Sequence, residues 1–217
     1  MKEIELLKIV FSKYHFPEWL LKHSINAAAV ISITQKWKTN ILDNKMIVGA
    51  LLHDLGRIVN SEGSRHTIEG YKMLACYDES IARYCITHSF PTKDANDYQG
   101  KNNCSYTEIL FMNCILKDLS LEDKLIILSD CYATSSGIVM MNERFNDFDI
   151  RYPARTEIEQ KNRNKIRNAY YDIENDLLEF INVNDHSTNV VSKIEANRAL
   201  LIRELNSLLS IREEGLK

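Results

Sequence analysis

The chain has 217 residues, a formal net charge of -3 and 45% hydrophobic residues, which suits one globular domain with or without an extension. Because there is no strong basic excess, duplex nucleic acid is not an expected partner. No apolar run approaches bilayer-spanning length, and the acidic start lacks the basic flank and cleavage site of a signal peptide. We therefore predict a cytoplasmic protein with no membrane contact.

The residue types favour helices over sheets. Only 7 glycines and 3 prolines interrupt a chain rich in Leu, Ile, Lys and Glu, and no alternating strand pattern competes with the helical periodicity. We predict an all-α fold, with a helical bundle over residues 1–150 and a C-terminal helical region, 151–217, that packs on the bundle or extends it. The 5 cysteines include no C-x-x-C pair, which indicates reduced, mostly buried thiols and no zinc–cysteine site.

Apolar residues with helical spacing predict five helices in the N-terminal part of the chain. These helices cover residues 4–14, 18–37, 45–55, 67–76 and 79–88. Gly56 is expected to end the third helix in a left-handed conformation, and a polar loop follows over residues 57–66. Pro91 ends the pattern of the fifth helix.

Two capping boxes mark further helix starts, because a serine stands three residues before an acidic residue in each. The pairs are Ser105 with Glu108 and Ser120 with Asp123. Gly137 is expected to close the helix that the second box opens. After a loop around Pro153, a long helix is predicted over residues 156–181.

A last helix is predicted over residues 188–213, and its apolar residues leave two options. Ile194, Leu201 and Leu208 are spaced by seven, which is the repeat of a coiled-coil homodimer. Arg198 occupies a position where a second apolar residue of the repeat belongs, so packing back on the preceding helix as an antiparallel hairpin is favoured.

A His-Asp pair stands at the end of the third helix, within the apolar frame Gly-Ala-Leu-Leu-His53-Asp54-Leu-Gly. Burial of such a pair is costly unless it has partners, and a divalent metal ion is an effective partner for imidazole and carboxylate. Asp130 lies in an otherwise core-forming helix and needs a cation or a hydrogen-bond network for the same reason. His23 shares a helical face with apolar residues. A purely structural role is the alternative for each of these residues.

The order His23, His53-Asp54, Asp130, with the frame Leu-Leu-His-Asp-Leu-Gly-Arg, resembles the HD superfamily of metal-dependent phosphohydrolases. His66, in Arg-His66-Thr-Ile-Glu-Gly, is similar to the H-x-x-x-G segment of the HDIG branch of that family. The resemblance covers roughly residues 15 to 135, and it implies an HD-domain helical bundle over residues 1–150.

The resemblance also implies the metal ligands. His23, His53, Asp54 and Asp130 would hold a first ion, and Asp54 would bridge to a second ion. The second ion would be held by His66 and His88, where His88 matches the further histidine of dinuclear members. Some of those members carry a double histidine where this chain has His88-Ser89, so one ion or two stays open. Mn, Fe, Ni, Co and Zn all suit such ligands.

The activity that the resemblance implies is hydrolysis of a phosphoester or phosphoanhydride, in a nucleotide or another small phosphorylated metabolite, by metal-activated water. Asp54 and Arg57 are the predicted catalytic residues, since Arg57 follows the His-Asp turn and would stabilise charge on the phosphate. A role for Arg57 as a surface residue without phosphate contact is an equally supported alternative. Lys93 and Lys101 are weaker candidates for this contact with phosphate, because exposure to solvent is the better interpretation of both side chains.

Two other functions are compatible with the same ligand residues. Some HD-type proteins hold two irons and cleave carbon bonds with oxygen, and an HD core can also serve as a non-catalytic module that binds a nucleotide or metal. The Gly-Tyr-Pro motif associated with cyclic-dinucleotide hydrolysis is absent from the sequence. The alternative for His66 and His88 is an ordinary structural position at a helix end. His15 and His186 are predicted to be surface residues.

Overall fold

The structure, a computed structural model, describes residues 3–38, 44–61, 63–98 and 104–181. The α-helices are α1 (Glu3–Lys13), α2 (Glu18–Lys38), α3 (Asn44–Leu52), α4 (Arg65–Leu74), α5 (Glu79–Thr87), α6 (Tyr106–Leu116), α7 (Leu121–Tyr132), α8 (Met141–Arg151) and α9 (Glu157–Ile181). Two 3-10 helices cover Leu55–Ile58 and Ala95–Tyr98. Within these ranges the only β pairing is an isolated bridge between Ala133 and Ile138. The predicted all-α fold is confirmed.

A continuous apolar core joins the helices that surround the His-Asp pair. Leu20 and Ile31 of α2, Leu52 of α3 and Ile126 of α7 are almost completely buried in it. A smaller core lies beneath α6, where Phe90 and the α6 side chains pack together. Removal of this apolar surface from water is the main force that holds the helices against one another.

The two predicted capping boxes are present. The Ser105 side chain accepts a hydrogen bond from the backbone N–H of Glu108, and the Glu108 carboxylate accepts one from the backbone N–H of Ser105. Ser120 and Asp123 form the same reciprocal pair at the start of α7. Both boxes satisfy backbone donors that a helix N-terminus leaves free, which is why these two helix starts are predictable.

Two predictions about glycines are wrong. Gly56 does not end α3 in a left-handed conformation, because α3 ends at Leu52 and Gly56 lies inside the 3-10 helix that follows. Gly137 does not close α7, which ends at Tyr132 where Ala133 takes an extended conformation. Helix termini depend on local hydrogen bonds that periodicity does not describe.

The region before Pro153 contains a helix that was not predicted. Helix α8 is polar over most of its surface, and only Met141 is fully buried. Met141, Phe145 and Phe148 nevertheless have helical spacing, a signal that the prediction missed. The thiols also differ from expectation, since only Cys85 and Cys131 are buried while Cys76 and Cys114 are exposed.

Helix α9 packs against α7. Lys124 of α7 pairs with Asp176 of α9 at 2.7 Å, and the hydroxyl of Tyr132 donates a hydrogen bond to Glu174. The division at residue 150 stays a prediction. The predicted helix over 188–213, together with Lys101 and His186, lies outside the described residues. Among the described helices, none has the length and apolar character to cross a bilayer.

Candidate metal centre

Three side chains from distant parts of the chain meet in the core. His23 lies on α2, His53 directly follows α3, and Asp130 lies near the end of α7. The Nε2 atom of His23 is 3.1 Å from Nε2 of His53 and 3.0 Å from Oδ1 of Asp130. The Nε2 atom of His53 is 3.4 Å from the same carboxylate oxygen. We call these three residues, with Oδ2 of Asp54, the first ligand set.

Two further histidines meet on the other side of Asp54. His66 lies in the first turn of α4, and His88 immediately follows α5. Their Nε2 atoms are 3.2 Å apart, and they lie 3.1 Å and 3.3 Å from Oδ1 of Asp54. We call His66 and His88, with Oδ1 of Asp54, the second ligand set.

Asp54 joins the two sets because each of its oxygens faces one of them. Its Oδ2 atom lies 3.6 Å from Nε2 of His23 and 3.8 Å from Nε2 of His53, while Oδ1 faces His66 and His88. Two groups of three residues each have ligand atoms that all lie within 4.8 Å of one another. One group is His23, His53 and Asp130, and the other is His53, Asp54 and His88. The structure thus brings all the sequence-predicted ligand residues into one cluster.

The histidine tautomers show why this cluster suits a cation. The Nδ1 atoms of His66 and His88 lie 2.8 Å and 3.1 Å from the carbonyl oxygens of Gly63 and Tyr84. Donation of the Nδ1 proton to each carbonyl leaves Nε2 of the neutral ring as an acceptor. Oδ1 of Asp54 is buried and accepts no hydrogen bond within the described part of the chain. Three lone-pair atoms therefore face one another, and a positive ion between them removes their repulsion.

His53 follows the same rule in the first ligand set. Its Nδ1 atom lies 2.7 Å from the carbonyl oxygen of Ala50, one turn back in α3. In the neutral ring with its proton on Nδ1, the Nε2 atom faces His23 and Asp130 as an acceptor. Both sets accordingly fit a divalent first-row ion, which prefers imidazole nitrogen and carboxylate oxygen.

The charges in the cluster favour ionised carboxylates. Burial raises the pKa of Asp54, but Arg57, His66 and His53 outweigh burial and hold that pKa well below its ordinary value. Burial likewise raises the pKa of Asp130, and the adjacent rings of His23 and His53 bring that pKa far below the usual range. Both carboxylates are therefore available as anionic ligands at neutral pH.

The two histidines at the centre differ in their proton affinity. Burial lowers the pKa of His88 to about 4, so this ring is neutral at physiological pH and free to bind a metal ion. Burial also lowers the pKa of His53, but the charges of Asp54 and Asp130 outweigh burial and the net shift is upward. A cation in the first ligand set thus competes with a proton on His53.

Arg57 contacts the shared carboxylate directly. Its Nε–H donates to Oδ2 of Asp54 at 2.6 Å, and its Nη1 atom lies 3.4 Å from the carbonyl oxygen of Ser61. Such a bond orients a ligand carboxylate and supports its charge. The predicted contact of Arg57 with phosphate stays a prediction. Lys93 is exposed, in the left-handed region at φ 62°.

Asn26 supports the first ligand set and was not singled out by sequence reasoning. It lies one helical turn after His23, is completely buried, and donates from Nδ2 to the carbonyl oxygen of Thr134 at 2.6 Å. Thr134 belongs to the turn that follows α7, so this bond ties the His23 helix to the end of the Asp130 helix. The available signal was a polar residue within the buried stripe of α2, at helical spacing from His23.

Comparisons of the chain with protein-family models, with curated proteins and with solved structures find no match. The structure by itself establishes an all-α protein with a buried cluster of histidines and aspartates that could hold a metal ion. The resemblance to the HD superfamily stays a prediction from the sequence motifs.

Proposed function

We propose that the chain is a metal-dependent phosphohydrolase of the HD type, which hydrolyses a phosphoester or phosphoanhydride of a nucleotide or another small phosphorylated metabolite. The observation that carries the proposal is the pair of ligand sets that share Asp54, with imidazole nitrogens and a carboxylate oxygen about 3 Å apart. Two metal ions held close together form the catalytic centres of phosphatases and nucleases, among other enzymes.

The chain offers a first ion the Nε2 atoms of His23 and His53 with carboxylate oxygens of Asp130 and Asp54. It offers a second ion His66, His88 and the other oxygen of Asp54. Divalent ions at such ligands supply an acidified water molecule and polarisation of a phosphoryl oxygen.

We place the entry of the substrate at the most exposed ligand side chain. Asp130 has a side chain that is 19% exposed, whereas the other ligand side chains are at most 7% exposed. Arg57, on the Asp54 side, is 27% exposed. A phosphate group that reaches the centre between these two residues meets the guanidinium of Arg57, which can take up developing negative charge while Nε keeps Asp54 in place.

The first test measures the metal content of protein purified without chelator or affinity nickel, by plasma mass spectrometry. We expect close to two first-row ions per chain, and hydrolysis of one or more phosphorylated compounds from a nucleotide panel in the presence of that metal. The His53→Ala variant should lose the ion of the first ligand set and, with it, hydrolysis. His15→Ala, at an exposed histidine on the protein surface, should keep both ions and hydrolysis.

Other results would redirect the proposal. Two irons with oxygen consumption and no phosphate release would identify an oxygenase. Absence of metal after reconstitution with Mn, Fe, Co, Ni and Zn would remove the catalytic proposal and leave a binding module. Metal without turnover of any panel member, and without oxygen consumption, would equally contradict a hydrolase.

A further inference from the structure

Gly56 touches the backbone of α4 at the position of a metal-ligand candidate. A Cβ atom built on Gly56 would lie 1.9 Å from the carbonyl oxygen of His66, 2.8 Å from its carbonyl carbon and 2.5 Å from the backbone nitrogen of Gly70. All three atoms belong to the main chain of one helical turn. The 3-10 helix after Asp54 therefore lies directly on α4, with no space for a side chain between them.

This contact has little freedom to relax. Cβ atoms essentially never approach a non-bonded heavy atom closer than 3.0 Å. An alanine here would therefore require the two backbones to separate by about 1 Å. A flexible side chain could turn aside, but a helical carbonyl moves only if the helix moves. The φ angle of Gly56 is not in the left-handed region, so lack of space is the reason for glycine here.

The same contact sets the distance between two members of the second ligand set. Asp54 stands two residues before Gly56, and its Oδ1 atom is 3.1 Å from Nε2 of His66. Metal–ligand distances tolerate changes of only about 0.2 Å. A shift of α4 by about 1 Å is therefore far larger than the second ligand set can accept.

We infer that Gly56 is a positioning residue, which holds His66 against the shared carboxylate and thereby makes the second ligand set competent to bind an ion. This inference rests on the metal centre of the proposed function. The residues of the first ligand set stand on α2, after α3 and on α7, and α4 supplies none of them. Loss of the Gly56 contact thus removes the second ion and leaves the first.

The experiment compares the affinities of both ions in wild-type protein and in Gly56→Ala, by calorimetric titration of the chelator-stripped proteins with Mn²⁺. We expect the dissociation constant of the second ion to rise on the order of 100-fold, and that of the first to stay within about threefold. Metal content by plasma mass spectrometry should fall from two ions to one. Neither readout depends on turnover.

Two further variants keep the result interpretable. In Gly70→Ala, the new Cβ would meet the Cys85 side chain at 3.0 Å and the backbone nitrogen of Gly56 at 3.2 Å, so α4 needs to shift only slightly. This variant should weaken the second ion about tenfold, and it supplies the test if Gly56→Ala does not fold. Leu6→Ala removes a buried side chain of α1, which carries no ligand, and should lower the melting temperature without selective loss of the second ion.

The outcomes separate this inference from the proposed function. Folded Gly56→Ala with two ions of unchanged affinity would overturn the role of Gly56 while leaving the metal centre intact. Equal weakening of both ions, as from general destabilisation, would overturn it as well. Wild-type protein that binds one ion, retained in Gly56→Ala, would also overturn it but leave a mononuclear enzyme. Wild-type protein without metal would instead remove the proposed function itself.

Discussion

The two ligand sets are built from different parts of the chain. The second set, Asp54 with His66 and His88, comes from one continuous stretch in which α4 and α5 follow the His-Asp turn. The first set also needs His23 and Asp130, which lie far away on α2 and α7. The second set is therefore a product of local packing, while the first forms only when the whole core assembles. Around one shared carboxylate, one half of the site therefore depends on contacts between neighbouring segments, and the other half on contacts between distant segments.

The sets also differ in charge. The first set has two carboxylates, Asp130 and the Oδ2 side of Asp54, whereas the second has only the Oδ1 side of Asp54. A greater negative charge binds a divalent ion more tightly. We therefore expect the first set to load before the second and to release its ion last.

The largest effect should come from Asp54→Asn, which changes the one residue that belongs to both sets. We expect metal content to fall from two ions to almost none, and any hydrolysis to fall about 1,000-fold or more. Plasma mass spectrometry and steady-state assays measure the two quantities. Asp118→Asn, at an exposed aspartate, is the control. Retention of one tightly bound ion in Asp54→Asn would show that the two sets do not share this carboxylate.

Single-histidine variants should separate the sets. His23→Ala removes a ligand of the first set and His66→Ala one of the second, so each should retain one ion. The ion that remains in His66→Ala should bind at least on the order of tenfold more tightly than the ion that remains in His23→Ala, because it keeps two carboxylate ligands. Calorimetric titration compares the two. Tighter binding in His23→Ala would contradict the charge argument.

An ion pair links the helix of His88 to the helix of Asp130. Arg83 of α5 donates from Nε and Nη2 to the carboxylate of Asp123 on α7, at 3.0 Å and 2.9 Å, and Asp123 is completely buried. Arg83→Met leaves that charge without its main partner. We expect the free energy of unfolding to fall by about 2–3 kcal/mol, as measured by urea denaturation of chelator-treated protein.

The matched control for Arg83 is Arg151→Met, because Arg151 pairs with Asp147 on the exposed surface of α8, where both side chains are about half exposed. The change in unfolding free energy there should stay below about 0.5 kcal/mol. Equal effects of the two substitutions would show that the Arg83–Asp123 pair contributes no more than a surface contact.

A smaller effect than that of Arg83 should come from Glu108, which joins α6 to α4 at the surface. Its carboxylate accepts from Lys72 Nζ at 2.8 Å and from the backbone N–H of Ser105 at 2.8 Å, and the Lys72 bond is the largest cause that lowers the pKa of Glu108 to about 2. Because the pKa of Glu108 is lower in the folded protein than its ordinary value of 4.5, the ionised carboxylate stabilises the fold at pH values above 4.5. This stabilisation disappears as the pH falls toward 2.

Glu108→Gln should therefore reduce the unfolding free energy by about 1 kcal/mol at pH 7, a value discounted for solvent screening, and by almost nothing near pH 2. Urea denaturation at a series of pH values measures the difference between variant and wild type. A difference that grows as the pH falls would have the opposite sign and would contradict this account.

The sequence by itself determined the helical class and most helix positions, because apolar residues at helical spacing have to be buried on one face. It also determined two helix starts, since Ser105 and Ser120 satisfy backbone donors within their own turn. It singled out His53-Asp54 as well, because a charged pair in an apolar frame needs partners. Helix α8 was not predicted, although Met141, Phe145 and Phe148 have helical spacing in an otherwise polar segment.

Only the tertiary structure decided which groups meet. Periodicity tells which face of a helix is buried, but not which helix covers that face. For this reason the approach of His23 to Asp130, and the support of Asn26 through Thr134, became visible only in the fold. The role of Gly56 was also decided there. The sequence suggested a left-handed helix end, while the structure shows two backbones in contact at a position where a side chain has no space.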